Sequence, residues 1–276
     1  MSPFELAEPK SLHEAFSLLG EDEARPLSGG TALMLMMKAG VLRPTRLVSL
    51  RKLGLEGIEA NGELSIGAMT TLADVERSAA VKKGWPVMTR ALRTLSNVRV
   101  RNVATVGGAL AHADPHMDLP PLLAALEARA TIAGPRGERS VPVEALYAGY
   151  LENTLQRDEL ITRVNLPAMG KRRAAYLKCT TRSADDWPAV GIAVVLDGEE
   201  VRAVLGAATD KPTRLFAAET LLRGKADDPK ALKQAGEAAA EEVRIESDLH
   251  GSAAYKRQLI RVYLRRTVDE ARNPSH

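Results

Sequence analysis

Two short stretches of the chain combine bare backbone with hydroxyl groups, the combination a phosphate needs. The first is Ser28-Gly29-Gly30-Thr31, within "PLSGGTALMLMMKAG"; the second is Thr105-Val106-Gly107-Gly108, within "RVRNVATVGGALAHADPHMDLP". Glycine lets the main chain approach a ligand closely, and the first N–H groups of a following helix have no partner inside it. Amides presented this way solvate an anion. Two such loops from different parts of the chain can clasp one diphosphate from both sides, as a dinucleotide requires where water is excluded. Each loop alone also reads as an ordinary turn joining a strand to a helix. No Gly-x-Gly-x-x-Gly follows a strand, and no glycine-rich loop ends in Gly-Lys-Ser or Gly-Lys-Thr, so neither the Rossmann nor the P-loop solution is in use.

Other groups with chemical potential are weaker signals. "HADPHMD" offers His112, Asp114, His116 and Asp118, but Pro115 breaks any helix that would set both histidines on one face for a metal. Loop hydrogen bonding and ligand contact are the favoured reading there, with His116 at the surface. There is no Ser-His-Asp order and no paired-carboxylate signature. The single cysteine, Cys179, excludes an internal disulfide and any cluster needing several local thiolates. By residue type alone, Lys178 reads as a solvated strand-end lysine and Arg182 with Asp186 as a surface ion pair. Lys256, Arg257, Arg261, Arg265 and Arg266 read as the solvated face of a helix whose stripe is Leu259, Ile260, Tyr263 and Leu264. Met34, Met36 and Met37 read as core filling.

The elements that must hold the two loops follow from periodicity. "SLHEAFSLLGE" repeats apolar residues at helical spacing behind a Ser11/Glu14 capping pair. A short strand up to Ser28, the first glycine loop, a helix and the strand "TRLVSL" make a βαβ-like unit. "GIEANGELSIGAM" is a hairpin about Asn61-Gly62, followed by helices in "TLADVERSAAV" and "WPVMTRALRTLS". The second glycine loop is expected to follow a strand-like run, and "ARATIAG", "ERSVPV" and "LITRVNLP" are strands. Residues 167–173 are the boundary. Beyond them "AAYLKCTTR", "AVGIAVVL" and "EVRAVLGAA" form an antiparallel set turning at Asp197-Gly198, closed by three helices. The class is α+β.

At 276 residues the chain has room for two or three subdomains. Its 45% hydrophobic and 26% charged residues are those of a soluble globular protein, and a net charge of +3 without a basic stripe argues against nucleic acid. The N-terminus lacks a basic head and apolar core, no stretch is long enough for a membrane span, and one cysteine suits a reducing compartment, so a cytoplasmic location is expected.

The two loops, in their order and spacing, resemble the FAD-binding loops of the flavoprotein (medium) subunits of molybdenum hydroxylases, the xanthine dehydrogenase and carbon monoxide dehydrogenase family. The resemblance continues through "YAGYLENTL", "DELITRVNLP", "KCTTRSADDWPAV" and "SAAYKRQLIRVYLRR", and so spans essentially the whole chain. It implies a two-lobed FAD-binding domain of the PCMH/VAO-like type, residues 1–55 and 56–170, followed by a C-terminal domain, 171–276, of three-stranded antiparallel sheet plus helices. It implies that Pro26, Leu27, Ser28, Gly29, Gly30, Thr31, Ala32 and Leu33 wrap the diphosphate of non-covalent FAD, and that Thr105, Val106, Gly107, Gly108 and Ala109 complete the clasp. By the same resemblance His112 neighbours the ligand, Asp118 holds a cofactor hydroxyl, Ile161 lies beside the flavin ring, and Lys178 reaches the cofactor from the C-terminal domain. Ala109 replaces the family's usual asparagine, and "DDWPAV" replaces its "DIA"-type sequence.

The resemblance further implies partners: a large subunit holding the molybdenum cofactor, a small subunit holding iron–sulfur clusters, and an acceptor such as NAD or a quinone-linked protein. A stand-alone flavin oxidoreductase and a cofactor-free assembly protein of the same fold are the alternative readings.

Overall fold

In the computed structural model, which describes residues 2–274, sheets of three, five and four strands follow one another along the chain, with a two-stranded ribbon inserted in the second unit. The first unit runs β1 (Glu5–Ala7), α1 (Leu12–Leu19), β2 (Ala24–Leu27), α2 (Leu33–Lys38) and β3 (Arg46–Ser49). Its strands pair in parallel in the order β1-β3-β2. Ser11 Oγ accepts the Glu14 N–H at 3.2 Å, and the Glu14 carboxylate accepts from the Lys10 N–H at 2.8 Å, one residue earlier than in a standard capping box. α1 then buries Ala15 and Leu19 against Ala24, Val48 and Leu50. Parallel strands need a crossover, and β2-α2-β3 places residues 28–32 beyond the carboxyl end of a strand, where open α/β sheets collect ligands.

The second unit comprises β4 (Ile58–Asn61), β5 (Glu63–Gly67), α3 (Leu72–Arg77), α4 (Ala79–Gly84), α5 (Pro86–Thr94), α6 (Val98–Arg101), α7 (Val106–Ala111), α8 (Leu119–Ala125), β6 (Arg129–Gly134), β7 (Gly137–Pro142), β8 (Tyr147–Gly149), β9 (Glu152–Asn153) and β10 (Leu160–Leu166). Its antiparallel sheet has the order β4-β5-β10-β6-β7, with the hairpin turning at Gly62. "TLADVERSAAV" is two helices rather than one, because Ser78 leaves helical geometry and its hydroxyl caps α4, accepting from Val81 N–H at 3.3 Å. The run before the second glycine loop is also helical, not strand. Asn97 Oδ1 accepts the Val100 N–H at 3.1 Å, and Arg101, only 9% exposed, turns inward to Glu76 at 2.8 Å. Alternating Val and Arg mimics a strand; the cap and the buried ion pair decide for a helical turn.

The third unit has β11 (Arg173–Cys179), β12 (Val190–Asp197), β13 (Glu200–Gly206), β14 (Thr213–Arg214), α9 (Phe216–Leu222), α10 (Pro229–Glu242) and α11 (Ala253–Arg272). Four strands, not three, pair in the order β11-β12-β13-β14, because Thr213 and Arg214 add a short edge opposite Leu205 and Val204. β12 is buried on both faces. Ile192, Val194 and Leu196 pack with Leu232, Ile260 and Leu264 of the helices, while Ala193 and Val195 join the core of the second unit. That shared strand fixes the third unit against α8.

Two local expectations change. Lys256 is 1% exposed rather than part of the solvated face of α11, and of the three methionines only Met37 is buried.

Candidate functional site

Pro26 and Leu27 end β2, where the Leu27 carbonyl accepts the Leu50 N–H at 3.0 Å. Gly30 then takes φ +72°, a left-handed angle that costs a residue with a Cβ about 1–2 kcal/mol. Met34 N–H closes the next turn on the Gly30 carbonyl at 3.0 Å, and Ala32 and Leu33 start α2 with no side-chain cap. The amides of Gly29, Gly30, Thr31 and Ala32 donate to no carbonyl among the described residues. Four consecutive N–H groups are therefore available to an anion.

The second loop uses its amides differently. Val106 N–H goes to the Thr70 carbonyl (3.0 Å), Gly107 N–H to Ala68 (2.8 Å), Ala109 N–H to Thr105 (2.9 Å), and Gly108 N–H to the Thr105 hydroxyl (3.1 Å). What it offers the first loop is contact. Ser28 Oγ and Thr105 Oγ1 lie 2.5 Å apart, and a Cβ on Gly29 would sit 2.0 Å from the Val103 carbonyl oxygen. The loops thus meet edge to edge, and a cleft of about 680 Å³ opens beside them, lined by Ser28, Gly29, Val103 and Thr105 together with Arg51, Thr71, Asp74 and Asn102. Thr105 serves as cap and bridge at once. Thr105→Ala is expected to lower stability by about 1–2 kcal/mol in a denaturant titration; a change below a few tenths counts against the bridge.

Asp118 and Lys178 come together, although not at an open surface. Asp118 is 5% exposed; one carboxylate oxygen accepts from Tyr176 OH at 2.6 Å and the other from Lys178 Nζ at 2.8 Å. Lys178 completes its ammonium bonds on the carbonyls of Thr94 (2.9 Å) and Asp186 (3.2 Å). Lys178 is therefore no solvated strand-end lysine, and its charge acts as half of a pair. Burial pushes Asp118 above the usual carboxylate range, against the pull of Lys178 and Tyr176, and pushes the Tyr176 phenol well up. Tyr176 escaped the sequence reading; its signal was its position two residues before Lys178, on the same face of one strand.

The remaining sequence-selected residues spread out. Ile161 is buried in β10 opposite Ile132, next to an irregularity in the register, and Ala109 is buried in the core of the second unit. His112 ends α7, half-buried, with burial lowering its pKa. His116 is not at the surface: its side chain is 10% exposed, and its ring nitrogens face Asp114 Oδ1 at 3.2 Å and Asp248 Oδ2 at 2.9 Å. Arg182 and Asp186 do form an exposed pair at 3.1 Å. Among the described residues no group of three His, Cys, Asp or Glu side chains gathers to hold a metal, and no helix is long and apolar enough to cross a membrane.

Comparison with known proteins gives this geometry a context. Residues 2–169 match the FAD binding domain in molybdopterin dehydrogenase, and residues 175–271 match the CO dehydrogenase flavoprotein C-terminal domain. The glyceraldehyde dehydrogenase medium chain of Sulfolobus acidocaldarius is 32% identical over 275 residues, covering 97% of this chain and 98% of that one. The structure of carbon monoxide dehydrogenase from Hydrogenophaga pseudoflava superposes with a TM-score of 0.93 at 34% identity over 98% of this chain and 97% of that chain. Quinoline 2-oxidoreductase from Pseudomonas putida 86 gives 0.91 at 30% identity, over 98% and 97%. With four amides of the first glycine loop unpaired among the described residues, and with both of its parts matched, the chain belongs to the family of FAD-binding medium chains of molybdopterin dehydrogenases.

Proposed function

We propose that this chain is the FAD-carrying medium subunit of a cytoplasmic molybdenum hydroxylase complex, working with a small iron–sulfur subunit and a large molybdopterin subunit. The observation that carries the reading is the row of amides at Gly29, Gly30, Thr31 and Ala32, unpaired among the described residues, in a loop whose Ser28 and Gly29 line a cleft large enough for a nucleotide. Bound FAD would supply the redox chemistry, taking electrons from the small subunit's clusters and yielding them to an acceptor such as NAD or a quinone-linked protein.

The chain's own residues bind and orient. Pro26 to Leu33 would wrap the diphosphate and receive it on the backbone N–H groups of Gly29 to Ala32. Thr105 to Ala109 would hold that loop in place through Thr105 and the close packing at Gly108, whose Cβ position is 3.0 Å from Thr105 Oγ1 and 3.3 Å from Ser28 Oγ. Residues 1–55 and 56–170 would form the two lobes and 171–276 the closing domain, whose Lys178 would reach the cofactor alongside Asp118, His112 and Ile161 of the second lobe. Cys179 cannot ligate a cluster alone, which fits clusters carried by a partner. Purified protein is expected to be yellow, to release one FAD per chain on acid treatment, and to have that flavin reduced only when the reduced small subunit is added. Colourless protein that takes up no added FAD would refute this reading.

A further inference from the structure

A closed circuit of hydrogen bonds ties the loop between α7 and α8 to the third unit. Pro115 O accepts from Ala207 N–H at 2.9 Å, Ala207 O accepts from Lys256 Nζ at 3.2 Å, Lys256 Nζ donates to Asp248 Oδ2 at 2.5 Å, and Asp248 Oδ2 faces His116 Nε2 at 2.9 Å. His116 Nδ1 lies 3.2 Å from Asp114 Oδ1, whose oxygen also accepts the His116 backbone N–H at 2.8 Å. Both ring nitrogens thus point at carboxylate oxygens. A neutral imidazole has one N–H, so one of these contacts would set a lone pair against an anion; only the imidazolium satisfies both.

The ring has aromatic cover as well. Trp187, 47% exposed, stacks on it with centroids 5.6 Å apart, and His250 lies at 4.9 Å, tilted. A cation on an indole face adds attraction. The titratable and charged groups around His116 are Asp114 and His112 on its own loop, Asp248, His250 and Lys256 from the third unit, and Asp186 beside Trp187.

We propose that His116 is a positioning residue: as an imidazolium between Asp114 and Asp248 it latches the third unit and Trp187 onto the loop leading into Asp118, and it releases them when it loses its proton. Asp118 lies two residues further on and is bonded to Tyr176 and Lys178 of the third unit, so the latch also keeps that pair aligned. Its effect on bound FAD rests on the function proposed above.

The pH window follows from the surroundings. Burial alone would lower His116, but the bonds to Asp114 and Asp248 outweigh it and hold the ring above the usual histidine value. Burial raises Asp248, and Lys256 and His116 bring it down to about 2. The His116 contribution is therefore complete below the ordinary histidine range and is lost as pH rises through its raised value. The Asp248 contribution is complete above the ordinary carboxylate range and is lost as pH falls through about 2.

The test uses hydrogen exchange of the full chain, read on peptides covering residues 246–257 and corrected for intrinsic rates, beside the rate of FAD loss. In the natural sequence, exchange there is expected to rise about tenfold between about pH 6 and pH 9, with faster FAD loss. His116→Gln should exchange fast at both ends, and His116→Arg, charged throughout, should exchange slowly at both. No step in the natural chain, or the same step in His116→Gln, overturns the latch. Because exchange is read with or without flavin, protein that binds no FAD would refute the function while the exchange data still decide the latch.

Discussion

Gly29→Val protein is expected to emerge colourless and to melt well below the natural chain. A Cβ at this position would lie 2.0 Å from the Val103 carbonyl oxygen, 2.7 Å from its carbon and 3.0 Å from Ala104 Cα. All three are backbone atoms, which cannot rotate aside as a side-chain tip can. The two loops must separate, which breaks the Ser28–Thr105 contact and displaces the run of unpaired amides at residues 29–32. Forcing such an overlap costs about 3 kcal/mol or more, and FAD affinity should fall by at least about a hundredfold, since about 1.4 kcal/mol is a factor of ten. Gly84→Ala is the control: nothing lies within 4 Å of its Cβ position, so flavin binding should not change. The measurements are FAD titration by flavin absorbance and a thermal scan; a yellow Gly29→Val protein of natural affinity would show that the loops do not need to touch.

Lys178→Met is expected to be the most destabilising change outside the glycine loops. It leaves Asp118, 5% exposed, with Tyr176 OH as its remaining side-chain donor. Removing one partner of a buried ion pair costs about 3–5 kcal/mol, whereas replacing both is often close to neutral. Asp118→Asn/Lys178→Met should accordingly recover much of the loss of the single variant in urea denaturation, with a coupling energy above about 1 kcal/mol. Purely additive effects would mean the pair contributes only packing.

The pH dependence carries a sign. Burial already raises Asp118 in the folded chain, so the folded state binds more protons than the unfolded one. The Lys178→Met variant should be least destabilised at low pH and lose stability as pH rises through the folded value of Asp118, and the double variant should not.

Much of the fold was legible in the sequence because backbone preferences are local. The hairpin at Gly62, the capped start of α1, the βαβ crossover around the first glycine loop and the antiparallel meander at Gly198 all follow from residues within a few positions of one another. The local failures had local competitors. The alternation "VRVR" reads as a strand until Asn97 caps it and Glu76 draws Arg101 inward, and the apolar spacing of "TLADVERSAAV" hides the break at Ser78. The two diglycine loops stood out by composition, and so did Asp118 and Lys178 through the family pattern.

What the sequence alone determined, then, was which stretches turn, which coil and which lie bare enough for phosphate. Only the tertiary structure decided who meets whom. It put Gly29 against Val103, spent the amides of the second loop on Ala68, Thr70 and Thr105, paired Lys178 with an acid 60 residues away and joined His116 to Asp248 across 132. Such pairings leave no periodic trace, because contacts between distant segments are set by how whole sheets and helices pack. Burial then turns an ordinary surface lysine or histidine into a charge that must find its partner.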